Sequence, residues 1–372
     1  MTDISVIATT SFGLETVLGF ELKNMGYESF VKENGRIILN TELSKIPELN
    51  INLRTAERIF IRLAVFKCLD FDDLYDNLLK ISWADIINED GKIIVNFKSV
   101  KSAIKSISNS QGISKKAIIE TLKKRYKKDW FTETGADYKI LVSLQNDMAE
   151  ILLDTSGHGL NRRGYRAHHG EAPLRETLAA SLIDLSRWRN DEVLIDPFCG
   201  SGTILIEAAL KGRNTAPGLK SEFDSEKWDL IPQKFWDSAR NAAKNKINND
   251  ELHLYGYDKD AEVIAIAKKN ASKAGVGDCI TFACRDIKNF SESHKKAFII
   301  TNPPYGERLT GDIAEVYTVM SEKFKTLHGW RIYILTGFEN FSKIFRRSDK
   351  NRKLYNGKIK CHLHMFFNPE KN

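Results

Sequence analysis

From residue 174 onward, apolar β-type runs alternate with helical patterns so regularly that few folds remain open to the chain. Residues 174–188 have helical spacing, 192–196 read as a strand, 203–211 as a helix, 252–257 as a strand and 261–274 as a helix. Residues 280–284 form a further strand, and 298–301, 312–327 and 331–335 continue as strand, helix and strand. Strands joined through helices pair in parallel, and a parallel sheet is covered on both faces. Residues 353–359 and 361–367 lie too close together for a helical crossover and predict a terminal antiparallel pair. The expected fold class is therefore α/β: a doubly wound, Rossmann-like sheet with an antiparallel last strand.

In such a sheet, ligands bind beyond the carboxyl ends of the strands. The first strand runs into Asp196-Pro-Phe-Cys-Gly200-Ser-Gly202-Thr203, a tight glycine turn that opens a helix. Glycine lets a cofactor approach the backbone, and a helix N-terminus offers free N–H groups. Leu205 replaces the third glycine of the dinucleotide fingerprint, and no Gly-Lys-Ser/Thr is present, which argues against an NTP-binding loop. By itself such a loop could be a structural turn. Asp258 at the end of the second strand is placed to accept hydrogen bonds from ribose hydroxyls, and Asp286 after the third to take an adenine amino group. Either acid alone could simply cap the next helix. The candidate cofactor residues are thus Asp196, Gly200, Gly202, Thr203, Asp258 and Asp286. Residues 212–250 lengthen the gap between loop and acid and read as a helical insertion beside the site, with Trp228 and Trp236 as packing anchors.

The most specific signal follows the fourth strand, at Asn302-Pro303-Pro304-Tyr305. Two prolines prevent the strand from continuing in the sheet. An amino group conjugated to a ring is a poor nucleophile because its lone pair is delocalised. The Asn302 side-chain oxygen and the Pro303 carbonyl can each accept one of its N–H groups and favour the pyramidal, charge-bearing transition state. Tyr305 offers a ring to stack on a planar base. Asn302, Pro303, Pro304 and Tyr305 are the candidate catalytic residues. A rigid turn is the competing explanation, weakened by the cofactor features on three neighbouring strands.

The first 155 residues differ. Strand patterns at 4–8, 36–39, 92–97 and 139–144 mix with helical ones at 14–25 and 114–126, an α+β region without a catalytic cluster. A chain of 372 residues exceeds one ordinary core. The net charge of +7 leans toward a polyanionic partner. Residues 98–128 concentrate ten lysines and arginines around one acid, Glu120, just before Trp130. A solvated helix face is the usual explanation of such a run, but here a phosphate-binding surface fits better. Its candidates are Lys115, Lys116, Lys123, Lys124 and Arg125, extended by Arg162, Arg163 and Arg166 of a glycine-punctuated linker. Five scattered cysteines without a Cys-x-x-Cys pair argue against a disulfide framework or structural zinc, and His362 and His364 lack a nearby carboxylate, so no metal is expected. No apolar run spans a bilayer and the N-terminus lacks a signal-peptide plan, so a cytoplasmic protein without membrane partner is expected.

These features together resemble class I methyltransferases that methylate amino groups. The chain more closely resembles the THUMP-domain RNA guanine-N2 methyltransferases, in particular the N-terminal half of the bacterial fused 23S rRNA enzymes. The resemblance rests on Leu153-Asp-Thr-Ser-Gly157, Arg163-Gly-Tyr-Arg166, the segment from Ala172 to Ala180, the loop from Asp196 to Thr203, Ala216-Pro-Gly-Leu219 and Asn302-Pro-Pro-Tyr-Gly-Glu-Arg-Leu309. It is more diffuse before residue 150. It implies a ferredoxin-like segment (1–50), a THUMP RNA-binding domain (51–155), a basic linker (156–170) and a methyltransferase domain (171–372, insertion 212–250). It also implies S-adenosylmethionine as cofactor, S-adenosylhomocysteine as product, and structured RNA, 23S rRNA or its assembly intermediate, as partner. The second methyltransferase of the fused enzymes is expected to be absent. The same tetrapeptide serves adenine-N6 methylation of DNA or RNA and glutamine-N5 methylation of proteins, and a non-catalytic RNA-binding assembly factor is a further alternative.

Overall fold

The computed structural model describes residues 3–166, 174–305 and 313–368. His168, His169, Gly170, the start of the stretch at Ala172, the residues from Gly306 to Leu309 and Asp312 lie outside them. The chain divides into two compact units.

The first unit holds residues 1–10, 22–160 and 218–243. Its strands are β1 (Asp3–Thr9), β2 (Val31–Glu33), β3 (Arg36–Glu42), β4 (Arg58–Lys67), β5 (Lys92–Val100), β6 (Asp137–Gln145) and β7 (Met148–Asp154). Among the described residues they form one seven-stranded sheet in the order β2-β3-β1-β4-β7-β6-β5, antiparallel except for β5 and β6. Burial alternates strictly along β6, where Tyr138, Ile140, Val142 and Leu144 are buried, the signature of a sheet with one face in the core. Helix α1 (Glu15–Asn24) falls mostly within the second unit, and α2 (Ile46–Asn52), α3 (Phe71–Leu79) and α4 (Ile107–Tyr126) lie between the strands in sequence. Helix α4 begins seven residues before the expected 114, in a Ser/Asn/Gly-rich turn of poor helix propensity that tertiary packing overrides.

The insertion expected to accompany the catalytic domain contributes instead to this first unit. Trp228 stacks on Tyr138 with centroids 4.9 Å apart and donates to the Asp137 carbonyl, and Trp236 stacks on Phe223 at 5.2 Å. Gly218 donates to the Ile51 carbonyl, and a Cβ there would lie 2.8 Å from the Asn50 carbonyl oxygen, so the Ala-Pro-Gly-Leu turn needs a residue without one.

The second unit holds residues 11–21, 161–217 and 244–372. In chain order it comprises α5 (Glu176–Ser186), β8 (Leu194–Asp196) and α6 (Thr203–Gly212), and, after α7 (Gln233–Asn245), β9 (Leu254–Asp258), α8 (Ala261–Ala274), β10 (Ile280–Cys284), β11 (Phe298–Thr301), α9 (Ile313–Lys325), β12 (Arg331–Thr336), α10 (Phe341–Ile344), β13 (Lys350–Asn356) and β14 (Ile359–Phe367). The sheet order is β10-β9-β8-β11-β12-β14-β13, parallel through β12 and antiparallel beyond it, as the strand–helix alternation and the terminal pair predicted. Two apolar clusters flank it. One joins α5, α6 and α8 to one face and the other joins α9 and α10 to the opposite face. Among the described residues no helix is long and apolar enough to cross a membrane.

Candidate active site

The chain leaves β8 toward β9 and β10 on one side of the sheet, then returns to β11 and β12 on the other. Neighbouring loops diverge at that reversal, and the crevice between β8 and β11 is where such a sheet takes a ligand. The glycine turn after β8 and the Asn-Pro-Pro-Tyr segment after β11 are its two walls.

On the β8 side, Gly200 (φ +53°) and Gly202 (φ +84°) both occupy the left-handed region, which other residues enter at a cost. A Cβ on Gly202 would come within 3.1 Å of Phe282, whereas nothing lies within 4 Å of one on Gly200, so the loop is packed beneath and open above. Asp258 Oδ2 accepts from the Gly200 amide at 3.2 Å and Oδ1 from Asp260, which ties the end of β9 to the loop. Burial holds the Asp258 carboxyl above its usual range. Asp286 caps the turn that follows it through the Lys288 amide at 2.8 Å. Thr203 is buried at the first turn of α6, where its hydroxyl accepts from Arg166 at 2.9 Å.

On the β11 side, Asn302 Oδ1 is buried and takes no hydrogen bond, and the Pro303 carbonyl takes none among the described residues. A buried acceptor left without a donor costs about 1–3 kcal/mol, so Asn302 Oδ1 marks a place where a donor is to arrive, with the Pro303 carbonyl next to it in the chain. The Pro304 carbonyl is already occupied by the Tyr317 hydroxyl at 3.2 Å, which also bonds Thr336 at 2.7 Å. Tyr305 departs from expectation. Its ring is 7% exposed and packs over Gly337, and its hydroxyl accepts from the Cys361 thiol, so in this arrangement it belongs to the core and presents no face to a base.

A strut that sequence patterning did not reveal joins the two walls. Thr301 Oγ1 donates to Asp196 Oδ1 at 2.7 Å, and both side chains are fully buried. Burial pushes the Asp196 carboxyl up to about 7, with Thr301 and the Phe198 amide opposing the shift. A group with a raised folded pKa contributes stability that is complete below its unfolded value near 3.8 and lost as pH rises through about 7. Between about pH 5 and pH 8 the thermal midpoint of the wild-type protein therefore falls more steeply than that of Asp196→Asn, and equal slopes would refute the assignment. Thr301→Val keeps the shape but withdraws the donor. It is expected to lower the unfolding free energy by about 1–3 kcal/mol in denaturant titration.

The linker arginines separate. Arg162 is exposed, but Arg163 and Arg166 turn inward with side chains 3% and 7% exposed. Arg163 lies 3.7 Å from Glu207, which also accepts from the Tyr165 hydroxyl, and Arg166 lies 3.1 Å from Glu176. The expectation that these two meet RNA is corrected: they brace α5 and α6 beneath the glycine loop. In the first unit, Lys116, Lys124 and Arg125 are exposed, while Lys115 pairs with Glu133 and Lys123 with Glu120. The basic run therefore meets acids from beyond its own segment, Glu133 and Glu89 among them. Among the described residues no group of three or more His, Cys, Asp or Glu side chains could hold a metal ion.

Comparison with known proteins agrees with this architecture. Family models match a ferredoxin-like domain at residues 5–60, a THUMP domain at 68–154 and an "RMKL-like, methyltransferase domain" at 163–365. A Bacillus subtilis protein provisionally named an RNA methyltransferase, YpsC, is 43% identical over 99% of this chain and 97% of its own length. The ribosomal RNA large subunit methyltransferase K/L of Psychromonas ingrahamii is 36% identical over 97% of this chain, which spans 50% of that longer protein. The crystal structure of SMU.472, provisionally a methyltransferase and complexed with SAH, superposes with a TM-score of 0.94 at 36% identity, covering all of both chains.

Proposed function

The chain belongs to the RMKL-like methyltransferase family, and on that premise we propose that it is an S-adenosylmethionine-dependent RNA N-methyltransferase whose preferred acceptor is the exocyclic N2 of a guanine in 23S rRNA. The observation that carries the reading is the pair of acceptors without donors, Asn302 Oδ1 and the Pro303 carbonyl, on the crevice wall opposite the glycine loop. A primary aromatic amine brings two N–H groups, one for each.

The residues of the opposite wall fit the cofactor. Gly200 leaves open space for close approach to the loop backbone, Gly202 supplies the left-handed turn beneath it, Asp258 would take ribose hydroxyls, and the second oxygen of Asp286, which makes no hydrogen bond among the described residues, would take an adenine amine. When bound, S-adenosylmethionine supplies a methyl group on a sulfonium, and S-adenosylhomocysteine is the product. Asn302 and Pro303 would hold the amine N–H groups, turn its lone pair toward the methyl and stabilise the positive charge that develops on nitrogen, which is relieved when the methylated nitrogen gives up one proton to water. The Thr301–Asp196 bond keeps that wall in register with the loop.

The names of the relatives and the THUMP match support RNA as the partner. Lys115, Lys116, Lys123, Lys124, Arg125 and Arg162 remain its phosphate contacts in this reading, which would position the RNA without reading its sequence. Labelled-methyl incorporation into unmodified ribosomal RNA, duplex DNA and protein tests the proposal. Incorporation into RNA is expected. Incorporation into DNA alone would favour the adenine-N6 reading, and cofactor binding without any incorporation would favour an assembly factor.

A further inference from the structure

The strongest concentration of positive charge in the catalytic unit is a feature that the methylation chemistry leaves unused. Between Lys343 and Lys360 the chain carries eight lysines and arginines and one acid, Asp349. That acid is engaged by Arg346 at 3.4 Å and by the Phe367 amide at 2.7 Å. Lys353, Lys358 and Lys360 are exposed and form no ion pair among the described residues.

These lysines sit at the active-site end of the sheet. Thr301 is level with Ile334 in β12, Thr336 with His362 in β14, and His362 with Lys353 in β13. At about 4.8 Å per strand, β14 and β13 lie roughly 10 and 14 Å from the strand that delivers Asn302. The turn end of the hairpin touches the catalytic segment directly: the Cys361 thiol bonds Tyr305, and Gly337 lies close to both the Tyr305 ring and the Lys360 carbonyl.

Aromatic surface accompanies the charge. Tyr355 is the cross-strand partner of Lys360, with the Lys353 ammonium 5.3 Å from its ring. Phe12, 51% exposed, meets Tyr355 edge-on at 6.2 Å, held there because Gly13 lies close against the Lys353 carbonyl. Lysines on an edge strand often only discourage sheet-to-sheet aggregation. That role does not explain lysines at and beyond the turn, nor an exposed phenylalanine placed among them.

We propose that the β13–β14 hairpin is a second RNA-binding surface, with Lys353, Lys358 and Lys360 on the phosphates of the strand flanking the target nucleotide and the Phe12–Tyr355 pair as a platform for a flanking base. It rests on the RNA reading above. Phosphate contacts supply affinity that falls with salt, and base–aromatic stacking supplies affinity that does not.

The test uses the full chain and an unmodified 23S rRNA transcript. Joint replacement Lys353→Glu, Lys358→Glu and Lys360→Glu is expected to weaken RNA binding at least tenfold and raise KM with kcat within about twofold. The slope of log affinity against log salt should become shallower by about two to three. Phe12→Ala is expected to weaken binding about fivefold with the slope unchanged. Cofactor affinity and thermal midpoint should hold in both. The corresponding Lys→Gln triple, which keeps most of each stem, should lower affinity and slope in the same direction. Retention of wild-type affinity and slope by both triples overturns the hairpin assignment alone. Failure of the wild-type protein to bind the transcript overturns the RNA reading itself.

Discussion

Replacing Asn302 with alanine lowers the turnover of methyl transfer by about a hundred- to a thousandfold while leaving cofactor affinity within about twofold. The side-chain oxygen is buried and without a donor, so its electrostatic work is prepaid in folding and released only when an amine arrives. It stands on the wall opposite Gly200 and Asp258, which is why cofactor affinity should hold. Asn302→Asp offers the same oxygen geometry but adds a charge to a buried position, so recovery of activity should be small. Turnover and equilibrium cofactor binding measured on one preparation separate the two effects. An alanine variant with undiminished turnover would show that this segment is only a turn.

The second large effect is expected at Asp258. Asp258→Ala should weaken S-adenosylmethionine binding by about a hundredfold in calorimetry, because charge-assisted hydrogen bonds contribute roughly 1.5–3 kcal/mol each. The same carboxylate accepts the Gly200 amide, so its loss also frees the left-handed turn. Asp286 would meet a single adenine amine, where Asp258 would meet two ribose hydroxyls, so its alanine variant should lose less affinity. Equal affinity in the Asp258 variant and the wild type would reduce that acid to a strut.

Much of the catalytic unit was legible in the sequence because its signals are local. Strands β10 and β11 and helix α8 fall on the residues that apolar runs and helical spacing marked, and the glycine turn and Asn-Pro-Pro announce themselves within a few residues. What escaped depends on partners distant in the chain. Arg163 and Arg166 looked like surface cations because Glu207 and Glu176, which draw them inward, stand on separate helices. The Thr301–Asp196 bond spans 105 residues, and the sequence reading assigns Asp196 to the cofactor and Thr301 only to the end of a strand. Tyr305 is buried because residue 337 is glycine, a fact no local pattern near 305 carries. The 218–243 segment reads as an insertion in one domain, yet its two tryptophans pack in the other unit's fabric.

Guanine N2 as the acceptor is the central claim, and identification of the methylated nucleoside tests it most directly. Unmodified 23S rRNA incubated with the enzyme and S-adenosylmethionine, then digested and resolved by mass spectrometry, should yield N2-methylguanosine, formed about a hundred- to a thousandfold more slowly by the Asn302→Ala protein. N6-methyladenosine in its place would keep the amine chemistry of Asn302 and Pro303 but contradict the assigned base.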